Sequence, residues 1–534
     1  MDKLARMIRK KFQRPSPASL SGGPTDKQPG EAEKLNPVLH ESLRHIKEAV
    51  GFSTDLIVRE IRIGAAGTVK TGIVYTEGMA DKDLINRFLD ALMLHSKETV
   101  LPRNETDDGN TMTVLKQFIL TLGDIQEIRD YRSAFSSILS GDTVILVDGY
   151  DYGFAAGTKG IDDRGVQEAS VQTVVRGPRE SFSENIRKNT ALIRRKINNP
   201  NLWLESMSIG RVTRTQVAVM YVKGIANDKI VEEIRTRLKR IDIDGIFETG
   251  NIEELIQDET ITPFPTIYNT ERPDTVAANL LEGRIAILVD GTPVVLVAPV
   301  VFTQFLQSSE DYYQRSDFGL IRLLRLVAFF ITLLAPSLYI SVTTFHQEML
   351  PTTLMMSIAA QRERVPFPAA VEAFLMEFTF ELLREAGIRM PRAVGPAISI
   401  VGALVLGEAA VRAGLVSSAM VIVVSITAIS SFILPTFSMS IPVRILRFLL
   451  MGLAASFGLF GVFVGLILLN LHLCSLRSFG VPYMAPMAPL ISADQKDTIL
   501  RMPLWALRTR PRLISGQNTV RQQTPPPGPD QEKK

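Results

Sequence analysis

The chain has 534 residues, with 59 Lys and Arg against 56 Asp and Glu, a formal net charge of +3. So small a surplus does not indicate nucleic-acid binding, which requires a strongly basic face. The single cysteine, Cys474, excludes a disulfide framework or a cysteine-ligated zinc site within one chain. The length exceeds what one hydrophobic core supports, so two or three domains are expected.

Residues 1–35 form a basic arm whose Lys, Arg, Pro, Ser and Gly content predicts disorder. Residues 4–11 of this arm are either a short amphipathic contact with anionic lipid or part of a solvated tail. The basic N-terminus is not followed by an apolar segment, so it does not resemble a secretory signal peptide. We therefore expect the first three hundred residues to remain in the cytoplasm.

Alternating strands and helices are predicted from residue 36 to about residue 315. β-Branched runs at Asp55–Ile63 and Thr71–Met79 are typical of strands. Apolar residues with a 3.6-residue period predict a helix at Asp81–Leu94 and a longer helix at Val114–Leu139. This region is therefore of the α/β class.

An internal repeat divides the α/β region. The segment TGIVYTEGMADKDLINRFLDAL at Thr71 resembles TQVAVMYVKGIANDKIVEEIRTRL at Thr215, an offset of 144 residues. LSGDTVILVDGYDYGFAAGT at Leu139 resembles LEGRIAILVDGTPVVLVAPV at Leu281, an offset of 142 residues. Because the two offsets nearly agree, we predict two tandem, related α/β subdomains, at residues 36–175 and 176–315.

Motifs for catalysis or cofactor binding are missing from the α/β region. It has no P-loop and no GxGxxG followed by a helix, and the five histidines of the chain are not at metal-ligand spacing. The Asp-Gly pairs at residues 148–149 and 290–291 fall at equivalent points of the repeat and predict paired turns. We expect no catalytic residues, no cofactor and no metal, and the chain is not predicted to be an enzyme.

A basic segment, RGPRESFSENIRKNTALIRRKINNPNLWLE, lies between the repeats at Arg176–Glu205. It is either an electrostatic contact with lipid headgroups or an acidic partner, or a solvated basic helix between the subdomains.

The second half of the chain predicts an all-α polytopic membrane domain at residues 316–476. Arginines before the first apolar run place that side in the cytoplasm. Four spans would return the basic, Pro-rich tail at residues 477–534 to the cytoplasm, and the tail beyond Ser515 predicts disorder. Each predicted span is long enough to cross a bilayer; they lie at about residues 326–345, 393–411, 415–437 and 448–473.

The sequence is consistent with either four or five spans. Four spans would leave a cluster of arginines near residues 362–392 outside, against the positive-inside rule, whereas a fifth span would leave the basic tail outside. A re-entrant or in-plane helix at residues 365–385 reconciles the two.

That helix carries an acidic stripe. At 100° per residue, Glu377, Glu381 and Glu385 share one sector with Arg384. In a symmetric oligomer such stripes would form acidic rings that select cations, so these three carboxylates are a candidate ion path. Alternatively the helix is an ordinary amphipathic one, with salt bridges to neighbouring arginines.

Other residues of the predicted spans suggest close helix packing. Glu408 and Arg412 are four residues apart and are predicted to form an intramembrane ion pair. Small residues recur every four positions and would let helices approach closely, either within one subunit or between subunits; they are Ser399, Ala403 and Gly407, and Gly461 and Gly465.

Three stretches resemble the A subunits of spore germinant receptors, the GerA family of endospore-forming bacteria. They are RGPRESFSENIRKNTALIRRKI at Arg176–Ile197, SDFGLIRLLR at Ser316–Arg325, and the long run at Arg362–Phe432 that begins RERVPFPAAVEAFLMEFTFELLREAG. The order of domains is also similar, and the resemblance covers roughly residues 35–512.

The resemblance implies a protein of the inner membrane of the dormant spore. Such subunits work with a transporter-like B subunit that carries the nutrient site and with a lipoprotein C subunit. They are thought to assemble into a homo-oligomer, a pentamer, that conducts monovalent cations when nutrient binds. Two hypotheses follow: an ion-conducting subunit, or a non-conducting scaffold that couples a nutrient-binding permease subunit to downstream germination proteins.

Overall fold

The computed structural model has an α/β region, a helical region and a C-terminal segment that returns to the α/β region. The residues it describes are 33–63, 69–98, 112, 116, 124–160, 168–169, 172–314, 318–389, 407–516 and 518–527.

The first subdomain contains a five-stranded antiparallel sheet in the order β1-β2-β4-β5-β3. Its elements are α1 (Leu39–Ala49), β1 (Leu56–Ile63), β2 (Val69–Thr76), α2 (Lys82–Glu98), β3 (Ile125–Ile128), α3 (Tyr131–Leu139), β4 (Thr143–Val147) and β5 (Gly153–Ala156).

The second subdomain repeats this architecture, with the strand order β6-β7-β9-β10-β8. Its elements are α4 (Ile186–Lys196), β6 (Leu202–Ile209), β7 (Thr215–Val222), α5 (Asp228–Lys239), α6 (Thr249–Ile256), β8 (Tyr268–Thr270), α7 (Pro273–Leu281), β9 (Ile285–Val289) and β10 (Val295–Ala298). The identical order confirms the two related subdomains predicted from the repeat.

Helices cover both faces of each sheet, which is why the central strands are apolar on both sides. In β7, Val217 and Val219 pack beneath α5 and α6, whereas Ala218 and Met220 join the core formed with α4 and α7. The strand is therefore buried without the alternation of a half-exposed strand.

The paired Asp-Gly turns have equivalent roles in the two repeats. The carboxylate of Asp148 accepts a hydrogen bond from the backbone N–H of Leu39 at the start of α1 (3.0 Å). The carboxylate of Asp290 accepts one from the N–H of Ile186 at the start of α4 (3.1 Å). Each turn thus fixes the first helix of its subdomain to the sheet.

The predicted helix at Val114–Leu139 is only partly correct. Residues 125–128 form β3, which pairs with β5, and the helix α3 begins only at Tyr131, where Asp130 caps it. Sheet pairing overrides the local periodicity at this position.

A buried ion pair joins the two subdomains. The Nη2 of Arg194, in α4, donates to Oδ1 of Asp55 (2.9 Å), and its Nε donates to Oδ2 of the same carboxylate. The N–H of Thr54 bonds the carbonyl of Leu204 in β6 (3.3 Å). Of the two interpretations of the basic segment, the structure supports a helix between the subdomains, but one whose central arginine is buried rather than solvated.

The helical region follows residue 314, after the short connecting helix α8 (Glu310–Tyr313). It comprises α9 (Phe318–Thr344), α10 (Thr352–Arg362), α11 (Ala369–Arg389), α12 (Gly407–Arg412), α13 (Ser418–Phe432) and α14 (Phe437–Ser475), with two short strands after it, β11 (Arg477–Ser478) and β12 (Val481–Pro482). Helix α8 belongs to the connection between the two regions.

Contacts show in which direction each helix runs relative to the α/β region. We call the end beside the α/β region the near end. Helix α9 begins there, since Arg325 donates to the carbonyl of Leu306 (3.2 Å). Helix α13 ends there, since Thr436 donates to the carbonyl of Phe305 (3.1 Å). The opposite end, where α9 ends at Thr344, is the far end.

Helix α14 is a helical hairpin rather than one rod. Gly458 has φ 62° and ψ −145°, which is not helical. A Cβ on Gly465 would lie 2.6 Å from Leu450, although fifteen residues of straight helix would separate these positions by about 22 Å. Residues 437–457 therefore run to the far end, and residues 459–475 run back, where His472 bonds Thr262 (2.9 Å).

The predicted spans correspond unevenly to these helices. The span at 326–345 lies within α9, and the one at 415–437 contains the shorter α13. The span predicted at 448–473 is wrong in outline, because the helix begins at Phe437 and reverses at Gly458. Residues 393–406 of the span predicted at 393–411 lie outside the described residues.

The C-terminal strap, residues 477–516 and 518–527, packs on the second subdomain. Tyr483 is fully buried, Ser515 forms a β-bridge with Ala226, and the N–H of Gly516 donates to the carbonyl of Ile225 (2.6 Å). Beyond Ser515 the sequence predicted disorder, but the N–H of Arg510 bonds the carbonyl of Thr519 (2.8 Å). Backbone pairing within the strap holds residues 519–521, and Gly516 pairs with the subdomain.

Candidate functional site: a buried ionic cluster in the helical region

Two of the three predicted acidic residues lie in a buried ionic cluster between α11 and α14. The Nη2 of Arg447 is 2.9 Å from Oε2 of Glu377 and 2.7 Å from Oε1 of Glu381. The Nη1 of Arg444 lies 3.0 Å from Oε2 of Glu381. We call these four residues, with Arg384, the α11–α14 cluster.

The helical repeat explains this geometry. Glu377 and Glu381 are one turn apart on α11, and Arg444 and Arg447 are one turn apart on α14, so two rows of charge face each other. Repulsion between the carboxylates is relieved by the arginines, and the cost of burying Glu377 is reduced by its pairing with Arg447. The acidic residues therefore hold two helices of one chain together.

This placement does not suit the candidate ion path, because Glu377 is fully buried. Arg384 shares the acidic sector of α11, yet the ion pairs go to Arg444 and Arg447 of another helix. The signal was present in the sequence: these two arginines interrupt the apolar run SIPVRILRFLL, one helical turn apart.

Glu385, the third predicted acid, lies on the other side of α11. It is exposed and pairs with Arg389 one turn later, 2.7 Å between Oε1 and Nη2. The described structure therefore separates the predicted stripe into an inward pair and an outward residue.

Glu372, an acidic residue outside the predicted stripe, has a structural role at the far end. Its Oε1 accepts hydrogen bonds from both the backbone N–H and the hydroxyl of Ser417 (2.5 Å each). Ser417 is itself the N-cap of α13, bonding the N–H of Met420. A carboxylate at a helix N-terminus is stabilising, so Glu372 fixes α11 to the start of α13.

The predicted Glu408–Arg412 pair forms, with one turn of α12 between the residues, but it is not buried. The side chains are 55% and 79% exposed within the chain. A residue-spacing argument correctly predicts the pair but cannot predict its burial.

The small residues differ in their roles. Gly461 and Gly465 pack inside the α14 hairpin, against Phe457 and Leu450, so they serve packing within one chain. Gly407 begins α12, where a Cβ would be 3.9 Å from Val421. Ser399 and Ala403 lie outside the described residues.

A second ionic cluster, which sequence reasoning missed, lies at the near end of α9. Asp311 accepts from Arg322 Nε (3.1 Å) and from Arg325 Nη1 (3.1 Å), with all three side chains buried. Arg322 Nη1 also donates to Asp497 of the strap (2.9 Å). Burial raises the pKa of the Asp497 carboxyl, while Arg322 acts in the opposite direction. This cluster links the α/β region, the first long helix and the strap.

Two helices of the described structure are long and apolar enough to cross a membrane, Gly319–Thr344 and Phe437–Ser475. Helix α13 is apolar but shorter. Among the described residues no group of three or more His, Cys, Asp or Glu side chains is placed to hold a metal ion. The arrangement is therefore one of helix packing and ion pairing.

Comparison with known proteins places the chain in a family. Residues 44–513 match the family model described as Bacillus/Clostridium GerA spore germination protein. Spore germination protein KA of Bacillus subtilis is 48% identical over 91% of this chain and 89% of its own length. Spore germination protein GerLA of Bacillus cereus is 38% identical over 92% of this chain and 98% of its own length.

One further relative and one solved structure complete the comparison. The membrane protein YfkQ of Bacillus subtilis is 41% identical over 92% of this chain and 94% of its own length. The crystal structure of the N-terminal domain of the A subunit of the Bacillus megaterium spore germinant receptor GerK3 is 44% identical. It covers 51% of this chain and 99% of that chain, with a TM-score of 0.41. This chain belongs to the GerA family of spore germination proteins.

Proposed function

We propose that this chain is the membrane subunit of a nutrient-sensing germination receptor and that copies of it form a nutrient-gated cation channel. The observation that supports this best is an exposed stripe along α11. Its members alternate four and three residues apart, the spacing of a coiled-coil seam; they are Val371, Leu375, Phe378, Leu382 and Glu385.

Another copy of the chain suits this stripe better than lipid. The stripe ends in a carboxylate, and charged groups at membrane depth normally face protein or water. Helix α10, which precedes α11 at the far end, has no buried residue within the chain. The outer face of α11 and most of α10 are thus exposed in the monomer, and a homo-oligomer, such as the pentamer implied by the resemblance, would cover them.

The direction of α11 supports a membrane topology with six crossings. Glu372 bonds Ser417 at the far end, and Arg384 lies over Phe432 at the near end, so α11 runs the length of α13. The crossings would be α9, α11, the span predicted from the sequence at 393–411, α13 and the two arms of α14. Six crossings place the α/β region and the strap on the same side of the membrane. We assign that side to the cytoplasm, with the helices in the inner membrane of the dormant spore.

In the proposed oligomer, neighbouring subunits would bring their Glu385 side chains together. Glu377 and Glu381 are neutralised inside one chain, so they support the fold of the channel rather than its ion path. Rings of Glu385, with Arg389 one turn away, would stand at the near end of α11 and attract cations there.

The partners proposed for this subunit are membrane lipid, a transporter-like B subunit with the nutrient site, and a lipoprotein C subunit. The cluster of Asp311, Arg322, Arg325 and Asp497 would transmit a conformational change in the α/β region to α9. The same cluster also suits the second candidate, a non-conducting scaffold that relays partner binding through the α/β region.

Cysteine crosslinking tests the oligomer. In a Cys474→Ser background, Leu382→Cys on the exposed stripe should give disulfide-linked dimers on oxidation of the membrane-embedded protein. The matched control is Ala373→Cys, because Ala373 is buried against the chain's own helices. Equal crosslinking of both positions, or of neither, would contradict the proposed interface.

Conductance measurements distinguish the channel proposal from the scaffold proposal. The purified oligomer in liposomes should pass monovalent cations when assembled with its nutrient-binding subunit, and Glu385→Gln should reduce cation selectivity at an unchanged protein level. A crosslinked oligomer that binds its partners yet passes no current would favour the scaffold.

A further inference from the structure

The α11–α14 cluster carries an unbalanced positive charge. The charged groups that act on Arg384 are Arg444, Arg447 and Glu381, and those that act on Glu377 are Arg447 and Glu381. The cluster thus contains three guanidinium groups and two carboxylates. The nearby pair of Glu385 and Arg389 is neutral in sum and exposed.

Unsatisfied donors accompany this imbalance. Within the cluster, three N–H groups are buried without a hydrogen-bond partner, namely Nη1 of Arg384, Nε of Arg444 and Nε of Arg447, and so are both carboxylate oxygens of Glu377. Buried donors are rarely left unpaired, since each one costs free energy. Residues 390–406 contain no Asp or Glu, so that segment cannot supply the missing negative charge. The cluster is therefore one anion short.

Arg384 is the member that reaches the surface. It is half-buried, and its guanidinium lies 5.6 Å from the ring centroid of Phe432, which is 68% exposed. It stands five residues before the end of α11, a rise of about 7 Å, at the near end of the helices. A long cationic side chain at that height reaches toward the membrane interface.

We propose that Arg384 binds the phosphate of an anionic phospholipid of the cytoplasmic leaflet, and that this phosphate completes the α11–α14 cluster. The proposal rests on the membrane orientation given above. Guanidinium binds phosphate through paired N–H groups, and basic pockets between membrane helices on the cytoplasmic side are known to hold lipid headgroups. The exposed Phe432 and Ile429 beside it would contact the acyl chains.

Lipid retention tests the proposal. The full-length protein, purified in mild detergent and placed in nanodiscs, is compared in phosphatidylglycerol and in phosphatidylcholine. We expect phosphatidylglycerol to co-purify with the wild type and to raise its unfolding temperature relative to phosphatidylcholine. Arg384→Gln should lose most of both effects, and Arg384→Lys should keep part of them.

Arg389→Gln is the matched control, since Arg389 lies on the same helix but pairs outside the cluster with Glu385. Unchanged lipid retention by Arg384→Gln, or an equal loss in Arg389→Gln, would overturn the proposal. So would inorganic phosphate that stabilises the protein in phosphatidylcholine as well as phosphatidylglycerol does. Conductance is measured on the same preparations, so an absent current and an absent lipid site are distinguished.

Discussion

Arg447 and Glu377 form an ion pair inside the helical region, with 2.9 Å between Nη2 and Oε2 and with side chains 1% and 0% exposed. The pair joins α14 to α11, and its two residues are 70 positions apart in the sequence. Because of this pairing, the acidic face of α11 packs against another helix instead of facing water.

Removal of one member of this pair should be costly. Arg447→Gln leaves Glu377 buried without its cation, and we expect a loss of about 3–5 kcal/mol in the free energy of unfolding. Denaturant titration of the detergent-solubilised protein measures it. Arg389→Gln breaks only an exposed pair and should cost less than about 1 kcal/mol.

The double variant Arg447→Met with Glu377→Met provides the control for pairing, because it removes both charges. It should be more stable than Arg447→Met alone. A double variant less stable than Arg447→Met would contradict the view that Arg447 stabilises the protein through its ion pair with Glu377.

The hairpin of α14 should depend on Gly458. Its φ of 62° is costly for any residue with a Cβ, and a Cβ there would lie 2.8 Å from His346 and 3.0 Å from Phe345. Gly458→Ala should therefore lower the thermal unfolding midpoint. Gly452→Ala is the control: that glycine is helical with no neighbour within 4 Å of a Cβ, so the same change should be neutral or stabilising by up to about 1 kcal/mol.

The ion pair between the subdomains gives a third prediction. Asp55→Ala leaves the Arg194 guanidinium buried and unpaired, so the free energy of unfolding should fall by about 3–5 kcal/mol. Limited proteolysis near residues 160–180 should accelerate as the subdomains separate. Asp83→Ala, which removes an exposed acid in the first turn of α2, should cost less than about 1 kcal/mol and leave the rate of proteolysis unchanged.

The pH dependence of stability should include a contribution from Glu253 in α6. Burial raises its pKa to about 7, although a hydrogen bond with Asn269 acts in the opposite direction. A raised pKa in the folded state stabilises the protein below the unfolded pKa of about 4.3, and this contribution is lost as the pH rises through 7.

Glu253→Gln should remove the loss of stability that accompanies ionisation of the Glu253 carboxyl at rising pH. Relative to wild type, the variant should gain stability at pH 8 and little at pH 4, as measured by thermal midpoints in matched buffers. Glu254→Gln, at the exposed neighbouring position, should show no such difference. A variant whose midpoint followed the wild type at both pH values would refute the assignment.

The sequence by itself determined the two α/β subdomains and the helical second half. Both follow from local patterns: the repeat of a strand–helix unit near Thr71 and Thr215, and apolar runs without charge. Local spacing was also enough for the Glu408–Arg412 pair, because residues four apart on a helix are always neighbours. The family was recognisable for the same reason, since its similarity lies in continuous stretches.

Only the tertiary structure decided which way the charges face. The spacing of Glu377 and Glu381 predicts one sector of a helix but not whether Arg444 and Arg447 lie opposite it. The reversal at Gly458 likewise depends on contacts with Phe345 and His346, more than a hundred residues away. Sequence periodicity predicts which residues of one helix are neighbours, whereas the burial of an ion pair depends on which other helix packs against it.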